Sequence, residues 1–253
     1  MSRTAIVTGA ASGIGLLTVE RLVAREWRVA AVDLPGEPLK ALARRDGVST
    51  HACDVSRPDE VDRVAAAVEE RYGRVDRLVN AAGIAVSGSV QDVSNERFAR
   101  VIEVNYLGTV HWVRAVLPQM RRRGAGELVL FASLAGWFAT PRMGAYTASK
   151  FAVVGLAETL KLELAGSGIA LRCVCPPAVR TPMLDDIFDQ GMSRRATKLA
   201  VPIAPETVLD AVDAALARPR GKVFVFPGRG STVMWRMRRF LPGLFDAIVR
   251  RTV

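Results

Sequence analysis

Tyr146 and Lys150 stand four positions apart in the run Ala145-Tyr146-Thr147-Ala148-Ser149-Lys150. On a helix that spacing puts both side chains on one face, with the ammonium close to the phenol. A free phenol titrates near about 10 and is a poor base at neutral pH, but a fixed positive neighbour favours phenolate. The expectation is a proton-transfer device in which Lys150 lowers the pKa of Tyr146. A solvated helix face can carry the same pair by chance, so other residues must decide.

Ser133 lies thirteen residues before Tyr146, at the end of a strand predicted over 127–131, where its hydroxyl could hold a substrate oxygen beside the phenol. Between the two, Trp137, Phe138, Pro141 and Met143 could wall an apolar pocket or simply be core. The Tyr146 helix is predicted to run to about residue 165, followed by a strand over 169–175. A loop opening Pro176-Pro177-Ala178-Val179-Arg180-Thr181 follows, and Met183, Leu184, Ile187 and Phe188 recur at helical spacing. That stripe reads equally as a lid over a greasy substrate or as a helix packed on the core.

The beginning of the chain supplies a second kind of chemistry. A strand over 4–8 runs into Gly9-Ala10-Ala11-Ser12-Gly13-Ile14-Gly15 and then into helical spacing. Glycines there let the backbone turn tightly and approach a diphosphate, whose charge is met by amides and the positive end of the helix. A strand over 27–32 ends in Asp33, eighteen residues past Gly15. An acid there can bind both hydroxyls of an adenosine ribose and repel a 2′-phosphate, so NAD is favoured over NADP. A strand over 48–53 ends at Asp54-Val55, where Asp54 could accept from an adenine amine or cap a turn. After a helix over 58–72, a strand over 75–79 ends in the small-residue turn Asn80-Ala81-Ala82-Gly83. The pattern from 96 to 120 is helical, with Asn105 inside an apolar run, either satisfying local backbone or organising water in a proton path.

Strands alternating with helices, completed by a helix over 205–216 and a strand over 223–226, predict a single-domain α/β fold. The expected architecture is a Rossmann-like, doubly wound parallel sheet of seven strands with helices on both faces. Such sheets bind ligands beyond the carboxyl ends of their strands, and Gly9 to Gly15, Asp33, Asp54, Asn80 to Gly83, Ser133 and Pro176 to Thr181 all fall just after a predicted strand, so they share one rim. The 253 residues suit one domain over 1–230, with a substrate loop at about 177–203 and a basic apolar tail over 231–253. No uncharged apolar run reaches the roughly 18 residues a membrane helix needs. Cys53, Cys173 and Cys175, with no CxxC pair, fit reduced thiols in a cytoplasmic protein, and with two histidines besides no metal site is expected. The net charge is +10, and from Lys222 onward seven Lys or Arg face one acid, Asp246. No nucleic-acid motif accompanies this basic balance, so nucleic acid is not an expected partner.

The order of motifs resembles the short-chain dehydrogenase/reductase family in its compact form, over roughly residues 4–227. The matching pieces are Thr8 to Gly15, Asp54-Val55, Asn80-Ala81-Ala82-Gly83, Asn105, Ser133 and Tyr146-Thr147-Ala148-Ser149-Lys150. The resemblance implies a catalytic tetrad of Asn105, Ser133, Tyr146 and Lys150 and an NAD(P)(H) cofactor, held by Gly9, Ser12, Gly13, Ile14, Gly15, Asp33, Asp54, Val55, Asn80, Ala81, Gly83, Tyr146, Lys150, Pro176, Val179 and Thr181. It also implies a homodimer or homotetramer built on the helices near Tyr106 and Tyr146. Pro177 departs from the usual glycine after the sixth strand and stiffens that loop. The expected activity is hydride transfer between a lipophilic secondary alcohol or ketone and nicotinamide, with Tyr146 as general acid/base. A non-catalytic dinucleotide sensor or membrane-surface scaffold of the same fold is the alternative. The tail mixes Trp235, Phe240, Leu241, Leu244, Phe245 and five arginines, broken by Pro242-Gly243. It is expected to lie on an anionic membrane or near the pocket mouth, or to form a subunit contact or lid.

Overall fold

A computed structural model describes residues 2–192, 201–218 and 221–252. In chain order the elements are β1 (Thr4–Thr8), α1 (Gly13–Val23), β2 (Arg28–Asp33), α2 (Glu37–Leu42), β3 (Val48–Ala52), α3 (Pro58–Tyr72), β4 (Arg77–Asn80), α4 (Asn95–Ile102), α5 (Gly108–Arg123), β5 (Gly126–Phe131), α6 (Gly144–Glu163), β6 (Ile169–Val174), α7 (Pro182–Asp189), α8 (Pro205–Leu216), β7 (Phe224–Val225), α9 (Ser231–Phe240) and α10 (Pro242–Thr252). The seven strands form one sheet in the order β3-β2-β1-β4-β5-β6-β7, with every neighbouring pair parallel.

Side chains alternate across the pleat and divide the core in two. Ile6, Val32, Leu78, Leu130 and Cys173 face α3, α5 and α6, which contribute Val64, Trp112 and Val153. Val7, Val29, Val79, Val129 and Val174 face the other way, onto Val19 of α1, Leu39 of α2 and Val212 of α8. Strands apolar on both faces, as these are, must be covered on both faces, and this one pattern gives the doubly wound fold. The strand order reverses between β1 and β4, which opens a crevice at their carboxyl ends.

Helix limits follow local chemistry. α3 starts at Pro58 with Asp59 and Glu60 in its first turn and stops at Gly73, whose φ of 77° is the left-handed conformation glycine adopts without strain. The helical pattern expected over 96–120 is borne out as α4 and α5, joined without a break by a π turn, Glu103–Leu107, that contains Asn105. α2 has no counterpart in the sequence expectations. Part of the predicted substrate loop, residues 193–200, lies outside the described residues.

Candidate active site

The 20-residue helix α6 carries Tyr146 and Lys150 on one side, with the Lys150 Nζ 5.5 Å from the centre of the Tyr146 ring. Lys150 is buried and donates to the Phe131 carbonyl, 2.8 Å away at the end of β5. Gly136 permits this closeness between α6 and the short turn after β5, because a Cβ there would stand 2.6 Å from the Lys150 carbonyl oxygen. The expected electrostatics are reversed. Burial pushes the Tyr146 phenol above its ordinary value of 10.0, and a hydrogen bond shared with Ser133 only partly opposes this. Burial also pushes Lys150 down to about 8. The ammonium lies beside the ring and is spent on a carbonyl, so in this state it does not make the phenol acidic.

Ser133 follows β5 and caps the turn Leu134–Gly136 by accepting from the Ala135 amide at 3.1 Å. Its hydroxyl therefore points to Tyr146 from a fixed backbone. Asn105, 1% exposed, exchanges two hydrogen bonds with the Ile84 backbone, its Oδ1 accepting at 2.8 Å and its Nδ2 donating at 2.9 Å. The same Nδ2 donates to Ser149 Oγ at 2.9 Å, and Ser149 donates to the Tyr146 carbonyl. Asn105 thus satisfies main-chain groups of Ile84, which lies 21 residues away in the chain. The amide clamps the segment after β4 onto α6.

The other half of the cavity is backbone. Gly9 has φ +65°, and a Cβ on it would come within 2.9 Å of the Ala82 Cα. A Cβ on Gly15 would lie 1.9 Å from the Gly9 carbonyl oxygen, and one on Gly13 would touch Thr181 at 3.4 Å. The first amides of α1 receive no side-chain bond from Ser12, and the first turn holds no acid. They remain available to an anion. Asp33 accepts from the Ala11 amide at 2.8 Å, which ties the end of β2 to the glycine turn, and its carboxylate borders the cavity. Asp54 caps a turn, accepting from the Ser56 amide at 3.0 Å, and also pairs with Arg100 at 2.7 Å. Burial works to raise its pKa, but the Ser56 bonds and Arg100 prevail and hold the carboxyl below its usual value.

One cavity of about 600 Å³ joins the two halves. Gly9, Ser12, Gly13, Ile14, Gly15, Asp33, Asp54, Val55, Ala81, Gly83, Ser133, Tyr146, Lys150, Pro176, Val179 and Thr181 all line it. Asn80 and Asn105 lie behind its wall. Asn80 donates to Thr109 at 2.8 Å and accepts from Thr8 at 3.3 Å under the glycine turn. A dinucleotide fits these residues: a glycine cradle that a Cβ would fill, free helix amides and the Asp33 carboxylate on the cavity wall.

The apolar end is formed by Phe138, Pro141, Met143, Met183, Leu184 and Ile187, with Met234 and Val249 added from the tail. Of the two readings open for Trp137, pocket wall or core, the structure shows the core one. The side chain turns away from the cavity into a cluster with Phe224, Phe226 and Trp235, and its Nε1 donates to Cys175 Sγ. Arg142 was not anticipated from sequence. It lines the cavity with φ +62°, costly for a residue with a Cβ, and its carbonyl accepts from the Gly88 amide at 2.8 Å. No periodicity signals such a conformation.

A family model described as short chain dehydrogenase matches residues 3–191. The chain is 41% identical over 211 residues to 2-(R)-hydroxypropyl-CoM dehydrogenase of Xanthobacter autotrophicus, covering 80% of this chain and 84% of that one. A short chain dehydrogenase/reductase from Burkholderia phymatum, solved in complex with NAD, superposes with a TM-score of 0.83 at 28% identity, over 96% of this chain and 95% of the other. ElxO with NADP bound shares the fold, with a TM-score of 0.83 at 21% identity over 92% of this chain and 100% of that one.

Proposed function

The chain belongs to the short-chain dehydrogenase family, NAD(P)-dependent oxidoreductases that act on alcohols, and from that premise we propose that it interconverts a lipophilic secondary alcohol and its ketone with NAD(H). The observation that carries this reading is Ser133, Tyr146 and Lys150 gathered at one end of the cavity whose other end is the glycine cradle. Bound at the cradle, the nicotinamide dinucleotide would accept or donate the hydride. Ser133 holds the substrate oxygen, and Tyr146 moves the proton at its phenolic oxygen. Tyr146 gives this proton to the ketone oxygen in reduction and takes it from the alcohol in oxidation. Lys150 would contact the nicotinamide ribose, and Asn105 acts by positioning α6.

Asp33 supports NAD over NADP, since the cavity-facing carboxylate would repel a 2′-phosphate and neither Ser12 nor Leu34 beside it is a cation. Leu107, Phe151 and Leu162 are exposed on α5's approach and on α6, and they suit a homo-oligomeric contact through these helices. The three buried free thiols suit a reducing, cytoplasmic setting.

The test is a panel of secondary alcohols and ketones followed at the reduced-nicotinamide absorbance band with both dinucleotides. Turnover with apolar substrates and a lower KM for NAD(H) is expected. An Asp33→Ser change should narrow the gap between the two cofactors by about tenfold or more. Absence of turnover across the panel, with NAD bound, would favour a non-catalytic sensor.

A further inference from the structure

Helices α9 and α10 have two unlike faces. Inward, Trp235 packs against Trp137 and Phe226, with ring centres 5.8 and 5.3 Å apart, and Phe245 packs on Phe138 at 4.8 Å. Met234 and Val249 from the same helices reach the cavity, so the tail roofs its mouth. Outward, where Pro242 separates the two helices, Phe240, Leu241 and Leu244 are 69%, 55% and 54% exposed. Three large apolar side chains within five positions, all in water, are a standing cost. Arg236, Arg239 and Arg250 are exposed on the same helices. From Lys222 onward the chain carries six of its ten excess positive charges, seven cations against one acid.

We propose that this corner docks the protein on an anionic membrane surface, with Phe240, Leu241 and Leu244 entering the acyl boundary and the arginines meeting lipid phosphates. An interfacial anchor needs both parts, apolar depth and positive charge, and both occur here on two short helices. Guanidinium groups match phosphate oxygens in pairs. A second copy of the chain is the poorer occupant, because a two-fold contact would set this positive surface against itself. No described helix is long and apolar enough to cross a membrane, so the contact is peripheral. Docking would set the roof of the cavity at the interface, where a lipophilic substrate is concentrated. Only that route of entry rests on the proposed function; the membrane contact does not.

The full-length chain is floated with vesicles of phosphatidylcholine alone and of phosphatidylcholine mixed with phosphatidylglycerol. It should rise with the anionic vesicles and stay behind with the neutral ones. Removing each of Arg236 and Arg239 as Gln should weaken partitioning about fivefold per charge. The triple change Phe240→Ser, Leu241→Ser and Leu244→Ser should abolish flotation while leaving the thermal midpoint unchanged. Failure of the unaltered chain to float, or equal flotation by the triple variant, overturns the proposal. So does a dimer in gel filtration that the triple variant loses without any lipid binding by the parent. None of these readouts depends on turnover.

Discussion

The two ends of the cavity are made from different materials. At the cradle the wall is main chain, with Gly9 and Gly15 packed so closely against Ala82 and each other that a methyl group has no space, and with Gly13 held at φ +51°. At the substrate end the wall is side chains borne on a turn, on α7 and on a tail from the far end of the chain. A backbone wall tolerates almost no substitution and suits a ligand that does not change. A wall of Phe, Met, Leu and Ile can be resized at modest cost, so under the proposed function it is where substrate choice would be set.

Substitutions should therefore separate the two ends. The largest effect is expected from Gly15→Ala, whose Cβ would sit 1.9 Å from the Gly9 carbonyl oxygen. It should cost about 3 kcal/mol or more in denaturant unfolding and lower NAD affinity more than tenfold. Ordinary stability and NAD binding in that variant would break the contrast. Phe138→Ala, at the other end, should raise KM for bulky apolar substrates about tenfold and leave KM for NAD unchanged. A parallel rise in both constants would mean that the two ends do not act separately.

A smaller effect belongs to Lys150, which connects the halves. Its folded pKa is about 8, against 10.5 for the free group. Between these values the unfolded chain holds a proton that the folded chain has lost, so stability should rise as pH increases from 8 towards 10.5. Below 8 both states hold the proton and this contribution is flat. Chemical denaturation of the parent and of Lys150→Met across this range would check the sign, since the slope should flatten in the variant.

Legibility in the sequence followed the same division. The limits of α3 and α8 could be read to the residue because each begins with Pro and an acid and carries a clear apolar face. Strand ends shifted by a residue or two, since they depend on the partner strand and not on local composition. α2 was missed because six residues after Pro35-Gly36 hold too little periodicity to detect. At the site, spacing correctly put Lys150 beside Tyr146 but could not reveal that the ammonium serves the Phe131 carbonyl or that burial dominates the phenol. Trp137 was legible as apolar but not as an anchor for the tail, because its partner Trp235 is remote in the chain. The role of Asn105 depended on Ile84 and Ser149, which no local pattern links to it.

The proton-carrying role of the Tyr146 oxygen is tested most directly by Tyr146→Phe, with turnover and NAD binding measured on the same preparation. The ring remains to fill its place while the phenolic hydroxyl is lost, with Ser133 and Lys150 left in position. The expected result is a fall in kcat of about 10²- to 10⁴-fold with an unchanged NAD dissociation constant. Near-normal kcat in that variant would contradict the assignment of Tyr146.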